Sequence, residues 1–381
     1  MSCCWATVNS ARSLFNRHAF ITKFCTLRVP QNNRTKRNSD SNIKTTPNFP
    51  RELAVHALFI NSKKFLIFSF ISSIISQMFD NNKKIFTAPL AGITDKPFRK
   101  VLREFAPDVS MVTEMISCHS LVAGHKNCIR NFDNYDDEGN IGAQIFGADA
   151  RLMGESAKIL QDAGAKWIDI NMGCPVPKVA TRAGAGAFLM RDHKLAGEIV
   201  KACVAAVKIP VSVKTRLGWD SEHKDWIDLV RVVADNGASF VTLHGRTRAQ
   251  GYAGNSELPI KPDLPIPIIA NGDIKNLADV NSVQDLGYDG AMIGRAMLGQ
   301  PWIIGQICGT GTRPKNIGDV VLRHLNLIID YYGAKAGVPM FRKHAAWYSA
   351  GMSNSAQFRI RVNQIVDEEE LKKTIKDFFC D

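Results

Sequence analysis

Metal and disulfide signatures are missing from this sequence. Its nine cysteines form no C-x-x-C pair and no Cys/His cluster with zinc spacing, so no metal site is expected. The odd count and scatter point to reduced thiols in a cytosol-like compartment. A dinucleotide-binding glycine fingerprint is absent as well. So is an apolar run of bilayer length: FLIFSFISSIISQMF, Phe65 to Phe79, has fifteen residues, four of them serine, and falls short of the roughly 17–25 needed to span. No stable membrane association is expected.

Acidic residues are scarce at one end. Residues 1–79 hold eleven of the 48 Lys/Arg but only Asp40 and Glu52 of the 36 Asp/Glu, so they carry +9 of the net +12 and the remainder only +3. Any nucleic-acid reading of the body therefore has to rest on local patches. Up to about Pro50 the leader is Asn-, Ser-, Thr- and basic-rich without a sustained apolar period, the pattern of a disordered segment. Three readings are open: an organelle transit sequence, a membrane-surface segment, or upstream sequence preceding a natural start at Met78. We favour the last. A cytoplasmic location follows, or an organellar one if the leader is a transit sequence.

From Lys84 the chain becomes regular, with strand-like apolar runs alternating with amphipathic segments. Eight runs are expected as strands: Ile85 to Gly92, Met111 to Ile116, Ile141 to Gly147, Trp167 to Gly173, Val211 to Gly218, Phe240 to Arg246, Ile266 to Asp273 and Gly290 to Ala296. Helices are expected over Asp149 to Ala163 and His193 to Val207. The repeated β-then-α order predicts a (β/α)8 TIM barrel. Its sixth helix is the weak point, because Pro259, Pro262, Pro265 and Pro267 leave little room for one. After about Asn316 helices alone are expected, over Val320 to Tyr332, Met340 to Ser349 and Glu368 to Phe379. The expected division is a non-family extension over 1–79, a barrel over 80–315 and a small all-helical domain over 316–381.

Polar residues at strand C-terminal ends gather at one mouth of such a barrel. Here they are Glu114, Gln144, Asn171 with Cys174, Lys214 with Arg216, His244 with Arg246, Asn271 with Asp273, and Arg295. In WIDINMGCP, Trp167 to Pro175, a buried-strand pattern breaks at Gly173 and Pro175 and leaves the Cys174 thiol at the exit; by position alone it is either a reactive group or a small buried hydrophobe. Lys214 lies inside a strand run and needs an anionic partner, either a ligand or an internal carboxylate such as Glu114 or Asp169. The NGD and IGRA turns, Asn271 to Asp273 and Ile293 to Ala296, end strands seven and eight, where such barrels bind phosphate. A phosphorylated cofactor is implied.

Six ordered stretches, APLAGITDKPFR (Ala88 to Arg99), DINMGCP (Asp169 to Pro175) with Lys178, KTRLGW (Lys214 to Trp219), LHGRTR (Leu243 to Arg248), ANGD (Ala270 to Asp273) and GRA-x-x-G-x-PW (Gly294 to Trp302), closely resemble the tRNA-dihydrouridine synthases, the bacterial B-type most of all. The similarity runs from about Ile85 to the C-terminus and excludes residues 1–79. It implies an FMN-containing TIM barrel with a C-terminal helical domain that reduces uridine in the D loop of tRNA to 5,6-dihydrouridine, using NADPH. By matched position, Pro89, Leu90 and Ala91 would lie along the isoalloxazine and Gln144 and Lys214 would bind it. Asn271, Gly272, Asp273, Gly294 and Arg295 would hold the ribityl chain and phosphate, and Cys174 would donate the proton. Asn171 and His244 are candidate uracil contacts. Lys178, Arg182, Arg342 and Lys343 are candidate tRNA contacts, and no obligate protein partner is evident. The loop after Cys174, VATRAGAGAF, departs from the family pattern. The rival readings are an FMN barrel acting on a free small molecule, of dihydroorotate or enoate type, and a non-catalytic RNA-binding flavoprotein.

Overall fold

A computed structural model describes residues 84–125, 138–181 and 183–379, all within one compact unit. The leader, with the expected start at Met78, and Arg182 lie outside the described residues.

Nine short parallel strands are β1 (Ile85–Thr87), β2 (Ser110–Val112), β3 (Ile116–Ser117), β4 (Ile141–Phe146), β5 (Trp167–Asn171), β6 (Val211–Arg216), β7 (Phe240–His244), β8 (Ile268–Asn271) and β9 (Gly290–Ile293). They close a TIM barrel of eight positions: β1 pairs with both β2 and β9, and β2 pairs with β4. The expected single strand Met111 to Ile116 is broken. Val112 pairs with Gly142 but Ile116 pairs with Ile145, so three residues on one side face two on the other. The extra residue makes a bulge. Its geometry is held by Thr113, whose Oγ1 accepts from Gln144 N at 3.0 Å.

The barrel helices are α1 (Lys96–Phe105), α2 (Cys118–Val122), α3 (Ala150–Asp162), α4 (Pro177–Ala180), α5 (His193–Ala206), α6 (Trp226–Asp235), α7 (Leu277–Asp285) and α8 (Ile303–Cys308). Several start where a side chain caps the first turn: Asp95, Asp149, Asp192 and Asn276 each accept a backbone N–H three residues on. Each such cap is worth about 1 kcal/mol. Between β7 and β8 there is no helix, as the prolines require; residues 245–267 form a loop in which Pro259 O accepts from Tyr288 Oη at 3.0 Å.

Packing grades up the barrel axis. Phe86, Val112, Trp167, Phe240, Ile269 and Met292 fill the floor. Phe86 meets Trp167 edge-on at 6.4 Å and Phe240 at 5.7 Å, pairs worth roughly 0.5–1.5 kcal/mol each beyond their area. Because inward positions recur every second residue, Trp167 is followed inside by Asp169 and Asn171, Phe240 by Thr242 and His244, and Ile269 by Asn271. An apolar floor thus gives way to a polar mouth.

Four further helices follow: α9 (Ile317–Tyr332), α10 (Ala334–Tyr348), α11 (Ser355–Gln364) and α12 (Glu368–Phe379). The third was not expected, and α10 begins before the expected Met340, with Pro339 inside it. They bury a second core around Leu325, Phe341, Phe358 and Ile375, which Trp302 joins from the barrel side. The ring of Phe98 of α1 lies tilted against His324 and His344, with centroids at 5.5 and 5.8 Å, and burial depresses His324 to about 3, leaving it neutral. Among the described residues no helix is long and apolar enough to cross a membrane.

Candidate active site

The mouth of the barrel opens into a cavity of about 610 Å³. Its wall begins with Ala88 to Ala91 after β1 and includes Gln144, Asn171, Cys174, Lys214, Arg216, His244, Arg246, Asn271 to Asp273, Gly294 and Arg295. Most of the residues expected at the site are thereby brought together. Lys178 is exposed on α4 beside the Cys174 turn and does not line the cavity. Arg342 and Lys343 lie on α10: Arg342 Nη2 donates to Ile365 O at 2.9 Å, and Lys343 Nζ donates to Gly92 O. Arg182 lies outside the described residues.

One relay of hydrogen bonds fixes the thiol. Asp169, 1% exposed, accepts from Ser212 Oγ at 2.6 Å and from Gln144 Nε2 at 2.6 Å. A carboxylate only accepts, so the Gln144 amide must turn its oxygen the other way, where Asn171 Nδ2 donates to it at 2.8 Å. That in turn leaves Asn171 Oδ1 to accept from Cys174 N at 2.9 Å and Gly173 N at 3.1 Å. On the far side Arg216 Nε donates to Gly173 O at 2.6 Å. The turn presenting Cys174 is therefore gripped by its amides and its carbonyl. Burial pushes the thiol above its ordinary value, with the Val176 N–H and Arg216 pulling the other way.

Charge is concentrated on the neighbouring wall, along β6 to β8 and the turn after β9. Lys214 Nζ donates to Asn271 Oδ1 at 2.8 Å, not to Glu114 or Asp169, and Asn271 Nδ2 donates to Met292 O at 2.9 Å. Burial, then the neighbouring Arg216, pull the ammonium down to about 7, while Asp169 pulls it up. Arg216 is lowered to about 10 by burial and stays cationic at neutral pH. Arg246 Nη2 donates to Asp273 Oδ2 at 2.6 Å and Arg295 Nη2 to Asp273 Oδ1 at 2.8 Å. Burial raises the Asp273 carboxyl, but the Ser256 N–H and these two guanidiniums outweigh it and hold it low. His244 is driven far below the ordinary range by burial and by Lys214, Arg216, Arg246 and Arg295. Since an arginine can only donate, its 3.2 Å contact with His244 Nε2 places the imidazole proton on Nδ1.

Backbone shape completes the wall. Gly272 has φ +120°, and a Cβ there would overlap Ser256 Oγ. Asp273 follows at φ +52°, a left-handed residue that its arginine partners hold in place. Among the described residues Ser256 Oγ is buried beside this turn and has no hydrogen-bond partner. Phosphate-sized anions suit such a concavity of glycine backbone and guanidinium.

A family model described as Dihydrouridine synthase (Dus) matches residues 86–380. The chain belongs to the dihydrouridine synthase family. It is 39% identical over 312 residues to the probable tRNA-dihydrouridine synthase of Rickettsia typhi (strain ATCC VR-144 / Wilmington), covering 78% of this chain and 95% of that one. With tRNA-dihydrouridine synthase B of Xanthomonas campestris pv. campestris it shares 38% identity over 309 residues, and 78% and 92% of the two chains. The B-type protein of Pseudomonas putida is 37% identical over 311 residues, with 78% and 91% covered.

In this dihydrouridine synthase three parts of the site escaped sequence reasoning. Asp169, expected only as a candidate partner of Lys214, instead anchors the relay through Ser212 and Gln144. Tyr252, 59% exposed with Arg216 over its ring at 5.5 Å, and Val176, 45% exposed, put apolar surface at the mouth. Both lie in stretches without periodicity, so nothing local marks them.

Proposed function

We propose that the protein is an FMN-dependent tRNA-dihydrouridine synthase that reduces uridine in the D loop of tRNA, with NADPH as reductant. The observation that carries this reading is that a held, protonated thiol and a cationic, glycine-lined wall line one cavity of about 610 Å³, a size suited to a cofactor with its substrate base. Pro89, Leu90, Ala91, Gln144 and Lys214 would hold the flavin ring. Asn271, Gly272, Asp273, Gly294 and Arg295 would hold the ribityl phosphate, and the orphaned Ser256 Oγ and the cradle at Gly272 fit that group. Bound FMN supplies the hydride that adds to uracil C6.

The chain's own residues do the rest. Cys174 Sγ–H gives its proton to C5 as general acid. Asn171 holds the turn that sets the thiol's position, and His244, neutral with its proton on Nδ1, offers a donor to a uracil carbonyl. Arg216 keeps a positive charge next to the thiolate left behind. The base has to leave the RNA fold to reach the mouth, so cations around it are needed, and Lys178, Arg182, Arg342 and Lys343 are assigned to that grip.

The test is an absorbance spectrum of the purified protein, followed by incubation with unmodified tRNA and NADPH and mass spectrometry of the product. Flavin bands and dihydrouridine are expected. Flavin bands without dihydrouridine would replace tRNA by a free pyrimidine or enoate.

A further inference from the structure

Beside the cavity lies a group that the proposed chemistry does not use. Trp219, half-buried, carries Arg248 over its ring at 4.5 Å and Arg191 at 5.0 Å, while Phe188 meets it edge-on at 6.3 Å. The three key residues come from three loops that leave consecutive strands on the mouth side: Arg191 after β5, Trp219 after β6 and Arg248 after β7. Backbone bonds fix them to the site. Ala187 N donates to Cys174 O at 3.1 Å, Arg248 N to Gly218 O at 2.9 Å and Ala249 N to Trp219 O at 2.9 Å.

These two guanidiniums are uncompensated. Among the described residues neither makes a side-chain hydrogen bond or an ion pair, and Arg248 Nε is buried without a partner. Among the described residues the carboxylates near in sequence form no ion pair with either arginine: Asp192 caps α5 through Leu195 N at 2.9 Å, Asp220 bonds His223 at 2.8 Å, Asp225 lies 3.1 Å from His193 Nε2, and Glu222 pairs with neither. Two like charges gathered on one indole with no counter-ion repel each other, and an anionic ligand removes that cost. Guanidinium forks suit phosphate, and the flat indole orders them for it.

We propose that the Arg191–Trp219–Arg248 stack is a docking surface for the ribose-phosphate backbone of the RNA that flanks the flipped uridine. The inference rests on the tRNA reading of the same site. The phosphates next to a base held in the barrel must cross this rim, and the stack meets them where the loops of Cys174 and Arg216 end.

The experiment is tRNA binding by fluorescence anisotropy over a series of salt concentrations, with wild type, R191Q/R248Q and R191K/R248K. Loss of two phosphate contacts should lower the log–log salt slope of R191Q/R248Q by about 1.4–1.8 and raise its Kd roughly tenfold, while the lysine pair keeps most of the slope. Flavin retention and Tm of each variant report on folding. A folded R191Q/R248Q with unchanged slope and Kd would overturn the proposal and leave the stack as packing. Wild-type protein that binds tRNA through these arginines but forms no dihydrouridine would overturn the activity and uphold the surface.

Discussion

Cys174 meets two demands on a proton donor: it must be protonated before the substrate arrives, and it must be reachable when it does. Burial raises the thiol, and its half-buried place in the cavity wall keeps it accessible. Cys174→Ala is therefore expected to keep its bound flavin and lose roughly 10²–10⁴-fold in dihydrouridine formation, the usual size of a general-acid contribution. Wild-type turnover would remove the thiol from the mechanism. Lys214 gives a second test, with the sign set by its depressed value of about 7 against an ordinary value of about 10.4. Between those values the unfolded chain holds more protons, so ligand-free stability rises with pH across that window and the full cost of the buried ammonium stands below pH 7. Replacing it by Lys214→Met should stabilise flavin-stripped protein more at pH 6 than at pH 9.5, as read from urea midpoints, while flavin retention falls. Equal gains at both pH values would show that the ammonium is not strained.

Strands β5, β6 and β7 show why so much of the barrel was legible: an alternating pattern with a polar residue at the C-terminal end encodes a floor, a wall and a mouth in five or six residues. The break between β2 and β3 was not legible, because the extra residue exists only relative to β4. The relay from Asp169 through Gln144 to Asn171 was hidden for the same reason; its partners are 25 and 27 residues apart. Helix α11 was missed because only Phe358 and Val362 are buried in it, too few to set a period. At the floor the pairing gives a direct prediction. A Cβ on Gly142 of β4 would overlap the ring of Trp167, which is fully buried and wedged against Phe86. Gly142→Ala should cost about 1–3 kcal/mol of stability by overpacking, measured by urea unfolding. Unchanged stability would mean that the indole can move.

The helical unit was read from the sequence as an RNA-binding appendage, and its cations as RNA contacts. Its packing also ties it to the cavity. Gly92 is gripped from both sides, its N–H by the Glu114 carboxylate and its carbonyl by Lys343 of α10, and the residues just before it, Pro89 to Ala91, line the cavity. A second tether lies nearby, where a Cβ on Gly299 would overlap the Trp347 carbonyl. Helices proposed to bind RNA thereby share a peptide with the segment proposed to lie along the flavin, so the two proposed roles would be mechanically linked through Lys343. Lys343→Met is expected to lower flavin retention on dialysis as well as tRNA affinity, because the loop after β1 loses its clamp. A variant that keeps full flavin occupancy but binds tRNA weakly would assign Lys343 to RNA alone. One that loses flavin while binding tRNA normally would make it solely a brace for the cavity wall. The joint loss is the outcome that requires the helices and the barrel to work as one body.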